Sequence, residues 1–213
     1  FPVHLLEMGE ELREVYVTTG DSGFREVTGP LSTGMIAEYF GRAGIVLPRG
    51  YKTELNLRIR DWLRDVDAAF KEGFILTIDY GYGDRDYYSE DRDRGTLVCY
   101  MKHQVNENPF ADVGEQDITA HLNFSSLRRW GEDEGFRALG FCSQASFLLS
   151  LGIDEEIARL ASDSKDYLFE LARIKKLILP QGMGESHSAA RKTLPASTTT
   201  MAPVGRSIPQ ERA

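Results

Sequence analysis

The stretch F-I-L-T-I-D-Y-G-Y, residues Phe74–Tyr82, decides the fold of this chain. Residues 74–78 are apolar or β-branched and carry no charge, a pattern that predicts a strand buried on both faces of a parallel or mixed sheet. We expect the strand to stop at Asp79, where turn-forming residues begin. Ligands of open α/β sheets bind outside the carboxyl ends of strands, so Asp79, Tyr80 and Tyr82 are candidates for chemistry or binding. The alternative is an ordinary turn.

The flanking sequence predicts an α/β fold. Apolar residues recur at helical spacing over residues 53–70, with Thr53 as the expected N-cap, and a helix leading into a buried strand is half of a βα repeat. Upstream, short alternating segments predict an antiparallel meander at residues 3–8, 12–18 and 24–27. Further strands are expected at 95–100, 117–124 and 135–141, and further helices at 35–41, 126–134, 145–151, 155–161 and 165–179.

Two segments lack apolar periodicity. Residues 84–94, D-R-D-Y-Y-S-E-D-R-D-R, are expected to form a solvated loop, or alternatively a lid over a site. From Ser186 the chain is rich in Ser, Thr, Ala and Pro and has no aromatic residue, so it cannot bury enough apolar surface to offset its ordering entropy. We therefore expect a folded domain over residues 1–185 and a disordered tail over 186–213.

Composition limits the functional classes. The 213 residues carry a net charge of −8, which leaves no basic stripe for nucleic acid and is compatible with a basic protein partner. No apolar run has the length of a membrane-spanning helix. Cys99 and Cys142 lie in apolar surroundings typical of free thiols in a reducing compartment, although a disulfide stays open at this stage.

Standard catalytic motifs are absent from the sequence: G-x-x-x-x-G-K-[ST], G-x-G-x-x-G, H-E-x-x-H and G-x-S-x-G do not occur. Asp79, His103, Asp117 and His121 could form the centre of a metal-dependent hydrolase, but their spacing matches no standard ligand pattern, and no metal is expected. His103 and His121 could also act as general bases, although a surface or hydrogen-bonded core histidine gives the same pattern.

Ordered motifs then indicate a family. They are E-L-N at 54–56, I-D-Y-G-Y at 78–82, R-G-T-L-V-C-Y at 94–100, His103, D-I-T-A-H-L-N-F at 117–124, G-F-C-S-Q-A-S-F-L-L-S-L-G-I at 140–153 and L-P-Q-G-M-G at 179–184. In this order they resemble the MidA family of S-adenosylmethionine-dependent methyltransferases over residues 1–185. The mitochondrial member of that family is a protein arginine methyltransferase acting in respiratory complex I assembly.

The resemblance implies a class I methyltransferase-like mixed sheet with an antiparallel insertion, a helical C-terminal region and S-adenosyl-L-methionine as cofactor. The cofactor-binding Gly-rich loop of the family would lie upstream of Phe1, so we expect a C-terminal portion that is inactive alone. Asn123 stands where the family usually has Asp, and the low-complexity tail replaces a closing strand. The resemblance also implies the mitochondrial matrix for a eukaryotic source and the cytoplasm for a bacterial one.

The resemblance also implies the site and the partner. The implied catalytic residues are Asp79, Tyr80, His103, Asp117 and His121, and the implied substrate-binding residues are Glu54, Asn56, Tyr82, Tyr100 and Gln144. An arginine-bearing protein would be the substrate, since carboxylates orient a guanidinium and tyrosines offer it cation–π contact. The alternative function is a non-catalytic module that binds a protein partner through its acidic surface.

Overall fold

A computed structural model describes residues 2–21, 23–69, 71–102, 104–163, 165–179, 183–184 and 187–193. The strands are β1 (His4–Met8), β2 (Leu12–Gly20), β3 (Gly23–Gly29), β4 (Lys52–Leu55), β5 (Phe74–Tyr82), β6 (Val98–Met101), β7 (Gln104–Asn106), β8 (Asp117–Thr119), β9 (Leu122–Asn123), β10 (Arg137–Ser143) and β11 (His187–Thr193). The helices are α1 (Gly34–Ala43), α2 (Arg58–Ala69), α3 (Asp84–Tyr87), α4 (Phe124–Asp133), α5 (Gln144–Ser150), α6 (Ile153–Asp163) and α7 (Tyr167–Ile178), with a 3-10 turn at Glu90–Arg92.

The first sheet has the order β3-β2-β1-β4 and is antiparallel throughout, which confirms the predicted meander. Its fourth strand was not expected. The prediction of a helix from Thr53 is wrong by five residues, because Thr53 lies in β4 and α2 begins at Arg58. Pairing of β4 with β1 overrides the helical spacing, and it leaves Thr53 and Leu55 only 1% and 2% exposed.

The second sheet has the order β10-β11-β5-β9. Strand β5 runs antiparallel to β11 and parallel to β9, so the predicted mixed sheet is confirmed. Strand β5 continues to Tyr82, which corrects the expectation that it stops at Asp79. The prediction of a disordered tail from Ser186 is also wrong for residues 187–193, because β11 pairs with β5 on one side and with β10 on the other. Residues 194–213 lie outside the described part of the chain.

One face of β5 is exposed, although the sequence predicts burial on both. Phe74, Leu76, Ile78 and Tyr80 are 58%, 48%, 46% and 45% exposed, and they alternate with the half-buried Ile75 and Thr77. Side chains of a strand point alternately to its two faces, so the apolar run contributes to the core on one face only. On the other face, Leu76 and Ile78 stay about half exposed, and we call that face the open face of β5.

The core lies between the first sheet and the helices α1, α2 and α4. Its buried members are Leu6, Ile36, Tyr39, Phe40, Leu47, Tyr51, Leu55, Ile59, Leu63, Phe124, Leu127, Trp130 and Phe136. Helix α1 begins after Thr33, whose side chain accepts a hydrogen bond from Met35 N, and ends at Gly44 in the left-handed region. Each of these helices buries one face against this cluster, as an amphipathic helix does.

Several local expectations are corrected. Helix α4 begins at Phe124, two residues before the expected start, because the Asn123 side chain caps it by accepting from Ser126 N. The segment 84–94 is not a solvated loop, since α3 begins it and Tyr87 is 3% exposed. In α7, which was expected over residues 165–179, the apolar Leu168 is 78% exposed.

A third, small sheet has the order β7-β6-β8. Cys99 and Cys142 are both free thiols. Among the described residues, no helix combines the length and the apolar character needed to cross a membrane.

Candidate functional site

Aromatic side chains meet at the carboxyl end of β5. The Tyr80 ring stacks on the His121 imidazole with centroids 6.2 Å apart and planes at 16°. The Tyr82 ring also contacts His121, at 5.4 Å and 48°. The guanidinium carbon of Arg92 lies 4.0 Å from the centroid of the Tyr82 ring, a cation–π geometry. The structure thus brings together the predicted site residues Tyr80, Tyr82 and His121, and it adds Arg92, which sequence reasoning missed.

Close contact between two strands places His121 beside these tyrosines. Gly81 and Tyr82 pair in parallel with Leu122 and Asn123 of β9, directly after His121. A Cβ atom at position 81 would overlap the Leu122 carbonyl oxygen, so only glycine permits this approach. In the sequence Y-G-Y, Gly81 therefore lets β9 approach, and the tyrosines before and after it contact His121.

A buried carboxylate supports the same region from below. Glu54 is 2% exposed, and its oxygens accept hydrogen bonds from Thr96 N at 2.9 and 3.0 Å and from Leu97 N at 3.0 Å. Thr96 Oγ1 accepts from His121 N at 2.9 Å, and Tyr87 OH donates to His121 O at 3.2 Å. Burial raises the pKa of Glu54, although the bonds from Thr96 and Leu97 act in the opposite direction. Glu54 thus lies beneath the backbone of His121 and does not face solvent.

Asp84 anchors the segment that follows β5. Its carboxylate accepts from Arg129 at 2.6 and 3.2 Å, and from the Asn123 side-chain amide at 3.0 Å. Arg129 also donates to Tyr39 OH at 2.9 Å, and burial is the main cause that raises the pKa of Tyr39 to about 12. Arg129 and Tyr39 line a small cavity together with Arg60 and Trp130. Asp84 and Arg129 satisfy each other's charge, so we interpret the network as structural support.

The other predicted site residues lie elsewhere. Asp79 is exposed, accepts from Tyr80 N at 2.8 Å, and by strand alternation belongs to the face opposite Tyr80. Asp117 and Tyr100 are cross-strand partners in the third sheet. Gln144 is 5% exposed and donates to Leu177 O at 2.8 Å, which ties α5 to α7. The roles of these residues stay predictions.

Asn56 and His103 complete the set of predicted site residues. Asn56 Oδ1 is buried and has no hydrogen-bond partner among the described residues. His103 lies outside the described residues. In the part of the chain that is described, no group of three or more His, Cys, Asp or Glu side chains is arranged to hold a metal ion. The single strand expected over residues 117–124 is interrupted, because β8 ends at Thr119 and β9 begins at Leu122.

Sequence comparison identifies one family. The profile of a family described as "Putative S-adenosyl-L-methionine-dependent methyltransferase" matches residues 1–142. No curated protein sequence matches the chain.

Solved structures from Burkholderia thailandensis resemble the fold. One, a protein bound to S-adenosyl-homocysteine, has a TM-score of 0.82 and 34% sequence identity, and the alignment covers 91% of this chain and 50% of that protein. A native structure from the same superfamily has a TM-score of 0.81 and 35% identity, with coverage of 90% and 52%. The chain therefore spans about half the length of these solved structures.

Proposed function

Because this chain belongs to a family of S-adenosyl-L-methionine-dependent methyltransferases, we propose that it forms the acceptor side of an enzyme that methylates arginine in a protein. Its mixed α/β fold is the one shared with the solved structure that binds S-adenosyl-homocysteine. The observation that carries the proposal is the guanidinium of Arg92 on the Tyr82 ring at the carboxyl end of β5. This ring face has the chemistry that an arginine acceptor requires.

The acceptor side acts by positioning. S-adenosyl-L-methionine, when bound, supplies the methyl group, and methyl transfer needs in-line placement of the acceptor nitrogen more than acid–base chemistry. In the proposal, Tyr82 holds the acceptor guanidinium on its ring face, and the stacked Tyr80 and His121 fix the wall beside it. The His121 imidazole can take up the proton that the guanidinium nitrogen loses, since imidazole titrates near neutral pH.

The described residues do not fit the main cofactor site. Gly81 and Gly83 follow β5 closely, as glycines of a cofactor loop would, but both serve other contacts. Gly81 admits the Leu122 carbonyl, and Gly83 is the N-cap of the four-residue helix α3.

We infer that a cofactor-binding half completes the enzyme and covers the open face of β5. The chain spans about half the length of the matching solved structures. A folded domain rarely exposes neighbouring apolar side chains such as Leu76 and Ile78 unless another surface covers them. The activity of the whole enzyme is thus a property of both halves.

The resemblance to the MidA family extends the proposal to its biological role. On that basis we propose that the protein substrate takes part in respiratory complex I assembly. The location would be the mitochondrial matrix in a eukaryote and the cytoplasm in a bacterium.

A methylation assay tests the proposed function. The chain, joined to the coding sequence upstream of its Phe1 codon, is incubated with methyl-labelled S-adenosyl-L-methionine and two peptides that differ only by arginine or lysine at one position. We expect label on the arginine peptide and a loss of label with Tyr82→Leu, because the ring face is removed. Equal labelling of both peptides, or labelling of the lysine peptide alone, would contradict an arginine acceptor.

A further inference from the structure

Arg92 is held differently from those described arginines that pair with a carboxylate. Arg129 and Arg42 each form a two-point ion pair, with Asp84 and Asp133 respectively. Among the described residues no carboxylate lies within ion-pair distance of Arg92. Its charge is met instead by the Tyr82 ring and by two neutral oxygens, since its Nη1 donates to Asp86 O at 2.6 Å and to Ser89 Oγ at 2.9 Å.

A guanidinium without a carboxylate partner is easier to replace than an ion-paired one, because its removal leaves no uncompensated buried negative charge. The contacts that it makes are also the ones that an incoming guanidinium would make on the same ring. The Tyr82 face is therefore a guanidinium site that is already occupied by a residue of the chain itself.

The backbone around Arg92 is fixed independently of its side chain. Upstream, Tyr87 is buried, and Tyr51 OH donates to Ser89 O at 2.8 Å. Downstream, Lys52 N donates to Asp93 O at 2.7 Å. The Arg92 side chain can therefore leave the ring by changing rotamers, without opening of the 84–94 segment.

We propose that the Tyr82 ring face is the subsite for the acceptor guanidinium, and that Arg92 is an internal occupant which the acceptor must displace. The proposal rests on the function proposed above, since it names the position at which an arginine acceptor binds. It also makes Arg92 a determinant of acceptor affinity: the contact with Tyr82 lowers the affinity for every guanidinium ligand by the free energy needed to break it.

The test measures binding of N-acetyl-L-arginine N-methylamide to the chain by calorimetry, with the lysine analogue as a second probe. We expect Arg92→Ala to bind the arginine probe about tenfold more tightly than wild type, a change of ~1.4 kcal/mol. Arg85→Ala is the matched control, because it removes the same charge from an exposed side chain of the same segment. It should leave the affinity unchanged. Adding Tyr82→Leu to Arg92→Ala should abolish the gain.

Equal or weaker binding by folded Arg92→Ala would overturn the proposal and leave the stack as a structural contact. If Arg92→Ala does not fold, Arg92→Gln decides, because its amide can still donate to Asp86 O while the charge and the planar guanidinium are lost. The outcome is separate from that of the methylation assay. Tighter binding without arginine methylation would reject the proposed acceptor and keep the subsite, whereas arginine methylation without tighter binding would reject the subsite alone.

Discussion

Glu54 accepts a hydrogen bond from Thr96 N at 2.9 Å, although 42 positions of sequence separate the two residues. The contact requires Gly95, which has a φ of 81° and whose Cβ, if present, would overlap the Glu54 carboxylate. Thr96 in turn receives His121 N on its hydroxyl oxygen. Through Thr96, a carboxylate in β4 thus holds the backbone of His121, whose ring contacts Tyr80 and Tyr82.

Truncation of Glu54 should destabilise the fold. Glu54→Ala would leave Thr96 N and Leu97 N buried without acceptors, at a cost of about 2–4 kcal/mol in the free energy of unfolding. Glu54→Gln keeps one acceptor oxygen, and the hydroxyls of Thr96 and Tyr87 can rotate to accept from its amide, so we expect less than about 1.5 kcal/mol. Urea denaturation of the three proteins measures the difference. Equal stability of Glu54→Ala and wild type would contradict the supporting role.

Two buried glutamates should give opposite pH dependences. Burial alone would raise the pKa of Glu14, but hydrogen bonds from Ser32 and the contact with His4 outweigh it, and the net pKa is lowered. Its stabilisation is therefore present above the unfolded pKa near 4.5 and is lost as the pH falls through the folded value. The pKa of Glu54 is raised, chiefly by burial, so its ionisation opposes folding above the folded value and this cost disappears as the pH falls.

Urea denaturation from about pH 7 to about pH 3 separates the two effects. The stability of wild type relative to Glu14→Gln should decrease on acidification, and its stability relative to Glu54→Gln should increase. Parallel slopes for the two comparisons would show that one of the two carboxylates is not held as described.

Gly81→Ala should separate β5 from β9. The added methyl group meets the Leu122 carbonyl oxygen, a backbone atom that cannot move aside without shifting the strand. We expect a loss of about 1–3 kcal/mol in the free energy of unfolding. Loss of the ring contact should also shift the proton resonances of the His121 imidazole. Gly140→Ala in β10 is the control, because nothing lies within 4 Å of its added methyl group and its stability should change little. A folded Gly81→Ala with unchanged His121 resonances would contradict the close approach.

The parts of the fold that follow local patterns could be predicted from the sequence. Alternation over β1 and β2 predicts the meander, and helical spacing predicts most of α2. Contacts between segments distant in sequence could not be predicted from such local patterns. Thr53 was predicted as a helix cap, since its local sequence does not show that β4 pairs with β1. Strand β11 was predicted as disordered, since its stability comes from backbone pairing with β5 and β10 and not from an apolar pattern.

The residues of the candidate site also differ in whether the local sequence could reveal them. Tyr80 and Tyr82 could be selected because they end a strand, and His121 because it lies in a family-like motif. Arg92 could not, since it is one of several charged residues in a segment without periodicity, and only the fold places it on a ring. Glu54 was predicted to bind substrate, and no local pattern shows that it accepts hydrogen bonds from two backbone N–H groups 42 and 43 positions later.

The open face of β5 supplies the last prediction. Leu76 is 48% exposed, so Leu76→Glu in the isolated chain should change the free energy of unfolding by less than about 1 kcal/mol. In the protein extended by the coding sequence upstream of Phe1, the same carboxylate would be forced against the proposed cofactor-binding half. Burial of an unpaired charge costs several kcal/mol, so the affinity for S-adenosyl-homocysteine should fall by about tenfold or more.

Val46→Glu provides the matched control, because Val46 is also aliphatic but is 91% exposed in a loop outside the sheet. It adds the same charge and should leave the affinity for S-adenosyl-homocysteine unchanged. Calorimetry on the extended protein and its two variants makes the comparison. If Leu76→Glu binds S-adenosyl-homocysteine as tightly as Val46→Glu does, the face of β5 stays open in the enzyme, and the cofactor-binding half must pack elsewhere.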